Sequence, residues 1–170
     1  MELVKIIRKI RINIACVQET KWIGSKARDV DGYKLWCSGS EGRGNGVGIS
    51  VDEDLSEQVV EVNRVSNRVM TIKLVIGRSS LNICSAYAPQ VGLNEEEKRR
   101  FWEVLDEVVH DVPSLEKIFI GGNFSGHIGA LLIGYGDVHR GFGFGDRNDA
   151  GATILDFARA FGSEFLLFKE

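Results

Sequence analysis

At 170 residues the chain is long enough for one domain with a substantial core and short for two. Hydrophobic residues at 44% and charged residues at 26% exclude a disordered or fibrous polypeptide, and a net charge of −3 argues against a tail-like basic nucleic-acid binder. The charge is uneven, with seven Lys/Arg against three Asp/Glu in residues 1–30. That excess suits either a positive rim that steers a phosphate backbone or an ordinary solvated face.

In chain order, Leu3, Ile6, Ile7 and Ile10 fall at helical spacing with Lys5, Arg8 and Lys9 between them, predicting a short amphipathic helix. Residues 12–17 read as a buried strand. Tyr33–Cys37 and Val47–Val51 read as short strands around a glycine-rich loop. That loop lacks the lysine and Ser/Thr of a phosphate-binding P-loop and leads into a strand instead of a helix. Val59–Val62, Arg68–Ile76 and Leu81–Tyr87 follow as strands, the last two joined as an antiparallel hairpin through Gly77-Arg78-Ser79-Ser80.

Asn94 is placed to cap a helix, with Glu97 as the reciprocal partner and three glutamates in the first turn suiting the helix dipole. Phe101, Leu105 and Val108 line its apolar face, widened by Trp102 and Val109. Lys117–Ile120 is a strand running into Gly121-Gly122. Residues 129–145 read as a long glycine-rich loop, Asp149 caps a final helix, and Phe165–Phe168 begins another strand. Strands alternating with two long helices predict an α/β protein with a mixed sheet and helices packed on it.

Cys16, Cys37 and Cys84 have apolar neighbours and no CxxC spacing, so they read as buried free thiols of an intracellular protein. No secretory signal and no membrane-length apolar run is seen.

Three strand exits carry groups suited to chemistry. Glu19 follows the first strand, where a carboxylate is a good Mg²⁺ ligand beside phosphate, or part of a solvated turn over Trp22. Tyr87 ends the strand before Ala88-Pro89, where its hydroxyl can donate to a phosphate oxygen or be a satisfied core group. Gly122-Asn123-Phe124-Ser125 turns sharply, aiming positions 123 and 125 at a shared pocket while Phe124 packs inward. An aspartate at 123 would orient or activate water, and an amide at 125 would hold the nucleophile; Asn123 and Ser125 supply neither group. His127 reads as structural or as a helper. Asp137, His139, Asp146 and Asp149 have no metal-ligand spacing.

Ile12–Trp22, Asn45-Gly46-Val47-Gly48-Ile49, Ser85-Ala86-Tyr87-Ala88-Pro89 and Gly121–Gly126, in that order, resemble the endonuclease/exonuclease/phosphatase superfamily. Within it the chain looks most like non-LTR retrotransposon endonuclease domains and craniofacial development protein 2-like proteins. The resemblance covers essentially all of residues 1–170. It implies a four-layered α/β sandwich with mixed, largely antiparallel sheets, a Mg²⁺-dependent phosphodiester cleft along one edge, and DNA as the partner. The family's metal-binding glutamate falls on Glu19, its strand-end tyrosine on Tyr87, and its Gly-Asp-Phe-Asn motif on Gly122-Asn123-Phe124-Ser125. Both polar members of that last motif are replaced. An asparagine on a strand preceding the N-terminal helix and a C-terminal Ser-Asp-His-like segment also belong to the family pattern and have no counterpart here. The expectation is therefore one incomplete domain, truncated at both ends, with Phe165–Phe168 as an exposed, aggregation-prone segment. Its activity is expected to be degenerate. The alternatives are residual nicking when another chain supplies the absent segments, or a module that binds nucleic acid or protein without chemistry.

Overall fold

A computed structural model describes residues 2–21, 26–39, 46–90, 92 and 94–125; the predicted loop at 129–145, the helix after Asp149, the strand at 165–168, and His127 and His139 lie outside them. The elements are α1 (Glu2–Lys9), β1 (Ile14–Thr20), β2 (Arg28–Val30), β3 (Tyr33–Ser38), β4 (Gly46–Asp52), α2 (Glu53–Ser56), β5 (Val59–Ser66), β6 (Val69–Ile76), β7 (Ser79–Tyr87), α3 (Glu95–His110) and β8 (Lys117–Asn123).

The strands form two four-stranded sheets, β1-β4-β3-β2 and β5-β6-β7-β8. The first is antiparallel throughout; the second is antiparallel except that β8 runs parallel to β7. A parallel neighbour cannot be reached by a tight turn, so α3 serves as the crossover.

Val47, Ile49 and Val51 of β4 face Met70, Ile72, Leu74, Ile83 and Tyr87 of the other sheet, and these side chains make the central core. The opposite face of the second sheet takes α3, with Phe101, Leu105 and Val109 on Val69, Cys84, Ala86 and Ile120. The outer face of the first sheet takes α1, through Val4 and Ile7 against Tyr33. Helix, sheet, sheet and helix give the four layers that the resemblance implies, with two sheets where the strand pattern alone predicts one mixed sheet.

Helix α1 differs from expectation in its buried face. Val4 and Ile7 are buried whereas Ile6 and Ile10 are half or more exposed. The helix ends with Ile12 N donating to Ile7 O and Arg11 N to Arg8 O, with Arg11 at φ +57°. This is the Schellman arrangement, with arginine where glycine is usual. Helix α3 begins as expected: Asn94 Oδ1 accepts from Glu97 N at 2.8 Å. Two small elements escape the apolar pattern: β2 is three residues long and mostly exposed, and α2 is a single turn capped by Asp52.

Candidate active-site edge

The first strand does not stop before Glu19. It continues to Thr20, and its register against β4 slips between Gln18↔Val47 and Thr20↔Gly46, so Glu19 is the extra residue of a β-bulge. Glu19 has φ +55°, which is uncommon for a residue with a Cβ. Gly46 makes the closure possible, because a Cβ there would lie 2.3 Å from Thr20 Oγ1 and 2.6 Å from Thr20 O. The bulge re-aims the Glu19 side chain toward the second sheet.

On that sheet Tyr87 and Asn123 are register partners, and Ala88 N donates to Asn123 O at 2.8 Å. Residues alternate between the two faces of a strand, so Phe119, which packs in the central core, sets Asn123 on that same inter-sheet face. Phe124 turns the other way, buried against Phe101 and stacked on Trp102 at 6.0 Å. Gly122 permits the pairing: a Cβ there would sit 1.9 Å from Ala86 O.

Tyr87 is 4% exposed, and its hydroxyl donates to Glu19 Oε1 at 3.0 Å. Gln90 Nε2 donates to the same phenol oxygen at 3.2 Å. Arg68 Nη1 donates to Tyr87 O at 3.3 Å, and the guanidinium carbon lies 5.4 Å from the centre of the tyrosine ring. Burial pushes the Tyr87 hydroxyl pKa up. The Gln90 hydrogen bond opposes this, the Glu19 hydrogen bond and charge reinforce it, and Arg68 works against it, leaving a net upward shift. The phenol is therefore a protonated donor at neutral pH.

A polar seam behind Glu19 ties the sheets together. Gln18 Nε2 donates to Ser85 Oγ at 3.4 Å, Ser85 Oγ donates to Val17 O at 3.4 Å, and Cys16 Sγ lies 3.6 Å from Cys84 O. Ser85 is fully buried, so these bonds satisfy a hydroxyl that would otherwise be costly there.

Glu19, Tyr87, Asn123 and Ser125 thus share one edge: the first two are hydrogen-bonded, the third is the register neighbour of Tyr87, and the fourth is tied to the third. Asn123 Oδ1 accepts from Ser125 N at 2.9 Å, and Ser125 has φ +52°. Gln90 and Arg68 were not singled out from sequence. A signal for Arg68 existed, since pairing Ile76 with Ser79 carries the hairpin register along to put Arg68 opposite Tyr87.

No family model matches the sequence. Craniofacial development protein 2 of Bos taurus is 26% identical over 152 residues, 89% of this chain and 25% of that protein. The same protein of Tragulus javanicus is 27% identical over 150 residues, 88% of this chain and 26% of that protein. The chain spans about a quarter of the length of these curated relatives. Among solved structures, the endonuclease domain of TRAS1, a telomere-specific non-LTR retrotransposon, matches with a TM-score of 0.64 at 17% identity, over 95% of this chain and 64% of that one. The fold is endonuclease/exonuclease/phosphatase-like.

In this endonuclease-like fold the donor set decides how well a divalent cation is served. Mg²⁺ takes one or two carboxylates and completes its shell with water and substrate phosphate. Glu19 offers one carboxylate, with Oε1 already accepting from Tyr87, and the side-chain oxygen of Asn123 accepts from its own turn. Among the described residues no group of three or more His, Cys, Asp or Glu gathers around a metal-sized space. Glu19 is the carboxylate these residues bring to the edge, and it is already engaged by Tyr87. No helix among the described residues is long and apolar enough to cross a membrane.

Proposed function

We propose that the chain carries a degenerate Mg²⁺-dependent, DNA-cleaving endonuclease site of retrotransposon origin, one that assembles its edge but does not turn over. The observation that supports it is the state of Asn123. It stands beside Tyr87 at the strand exit, where the chemistry wants an aspartate, and its side-chain oxygen closes a local turn with Ser125. An amide cannot accept a proton as a base, and general acid–base help is typically worth about 10²–10⁴ in rate. With Glu19 as the one carboxylate of the edge among the described residues, Mg²⁺ binding is weak or absent.

The test is nicking of supercoiled plasmid in Mg²⁺ by the chain and by Glu19→Ala. Both should stay at background. Nicking by the unmodified chain that disappears in Glu19→Ala would overturn the reading and make the protein an endonuclease.

A second reading, binding of nucleic acid without chemistry, is favoured by Arg68. Its guanidinium sits against Tyr87, so the edge carries a cation, and holding a phosphate oxygen needs no base.

A further inference from the structure

The Glu19 carboxylate does to Tyr87 what a bound anion would do. Glu19 is exposed while Tyr87 is 4% exposed, so the carboxylate lies over the hydroxyl from the solvent side. A phenol has one proton to give. Gln90 donates to the phenol oxygen, so its amide engages a lone pair and leaves that proton directed at Glu19. Arg68 places a cation 5.4 Å from the centre of the Tyr87 ring, which favours an anion at this edge.

We propose that Glu19 is an intramolecular competitor for phosphate: it occupies the donor position of Tyr87 and repels a second anion from it. The ligand held off is a phosphate oxygen, from a nucleic-acid backbone or from free phosphate. This inference rests on the reading of the edge as nuclease-derived, yet it concerns binding and not turnover. A charge-assisted hydrogen bond must be surrendered before a phosphate can replace it. Losing the competitor should therefore tighten phosphate binding.

The experiment measures anisotropy of a short fluorescein-labelled DNA duplex with the whole chain, in low-salt buffer containing EDTA, with inorganic phosphate as competitor. Glu19→Ala should tighten binding about tenfold, the equivalent of one such hydrogen bond. Glu19→Gln keeps an acceptor but removes the charge, so its gain should be smaller. Tyr87→Phe should change binding little in the unmodified chain and abolish the gain in Glu19→Ala. Displacement of the duplex by millimolar phosphate identifies a single phosphate group as sufficient; resistance to displacement identifies the polymer backbone. Circular dichroism and thermal melts establish that each variant is folded, and Glu19→Gln, which retains the contact to Tyr87, serves where Glu19→Ala fails to fold. Unchanged affinity in a folded Glu19 variant, a gain that survives Tyr87→Phe, or no binding by any variant overturns the proposal. Failure of the no-turnover reading is scored separately, by Glu19-dependent nicking.

Discussion

Glu19 and Tyr87 are 68 residues apart in sequence and meet at 3.0 Å across the two sheets. The contact depends on a bulge in β1 that re-aims Glu19 and on the seam through Gln18 and Ser85 that holds β1 against β7. The same bond that organises the edge also consumes its best donor.

Tyr87→Phe and Glu19→Ala should each lower unfolding free energy by about 1–2 kcal/mol, near the low end for a hydrogen bond to a charged group because Glu19 is exposed to solvent. The double variant should cost less than the sum, because both single changes remove the same bond. Urea unfolding of the four proteins measures the coupling; strict additivity would mean the bond contributes nothing to stability.

Asn123 and Ser125 give a different kind of prediction. Asn123→Asp keeps an oxygen that can accept from Ser125 N, so the turn should survive within about 0.5 kcal/mol. Asn123→Ala loses that acceptor and should cost about 1 kcal/mol. Ser125 sits at φ +52°, where asparagine is better tolerated than serine. Ser125→Asn should therefore be neutral or mildly stabilising, although it changes a proposed site residue. The double variant Asn123→Asp, Ser125→Asn should bind Mg²⁺ measurably better by calorimetry and still fail to nick plasmid. Recovered nicking would show that positions 123 and 125 together were the whole defect.

Much of this edge was legible in the sequence, for identifiable reasons. Apolar runs bounded by turn residues placed the strands that end near Glu19, Tyr87 and Asn123, whereas Gly121-Gly122, read as a turn after the strand, lie inside β8 and pair with Ser85 and Ala86. The Asn94 cap marked the start of α3. Local pattern could not reveal the bulge at Glu19, since that is a property of the β1–β4 register. It could not assign Val4 instead of Ile6 to the buried face of α1, because both are apolar and the docking angle decides. The clamp on Tyr87 by Gln90 depends on how the chain leaves the strand after Pro89, which no periodicity encodes.

Two thiols, Cys84 buried and Cys16 partly buried, predict the alkaline limit of stability. Burial pushes Cys16 from an ordinary 9.0 to about 12, with hydrogen bonds from Ser85 and Gly121 opposing, and burial pushes Cys84 up as well, reinforced by Cys16. Each group is an acid whose folded pKa lies above its unfolded value. Above about pH 9 the unfolded chain loses protons that the folded chain retains, so stability falls as pH rises toward 12. Below 9 this contribution is constant. Unfolding free energy measured between pH 7 and 11 should be level at first and then decline. Cys84→Ala, once its lower baseline is subtracted, should show a shallower decline. Cys84, which is fully buried, should also resist a disulfide reagent in the folded state and react on unfolding.

Gly122 makes the most demanding prediction, because two strands and the candidate site depend on it. A Cβ at 122 would stand 1.9 Å from Ala86 O and 2.8 Å from Ala86 C, which are backbone atoms of the neighbouring parallel strand and cannot rotate away. Gly122→Ala must therefore push β8 off β7, breaking the register that sets Asn123 beside Tyr87 and loosening Phe124 from Phe101 and Trp102. The cost should reach about 3 kcal/mol or more, at the upper end for overpacking. Gly77→Ala is the control: its Cβ would meet nothing within 4 Å, and the penalty comes from φ +61° alone, about 1–2 kcal/mol. Chemical denaturation compares the two, and Trp102 fluorescence reports whether the aromatic cluster has come apart. Equal destabilisation would mean that β8 can shift without resistance, and the close β7–β8 pairing would then not be what fixes Asn123 in place.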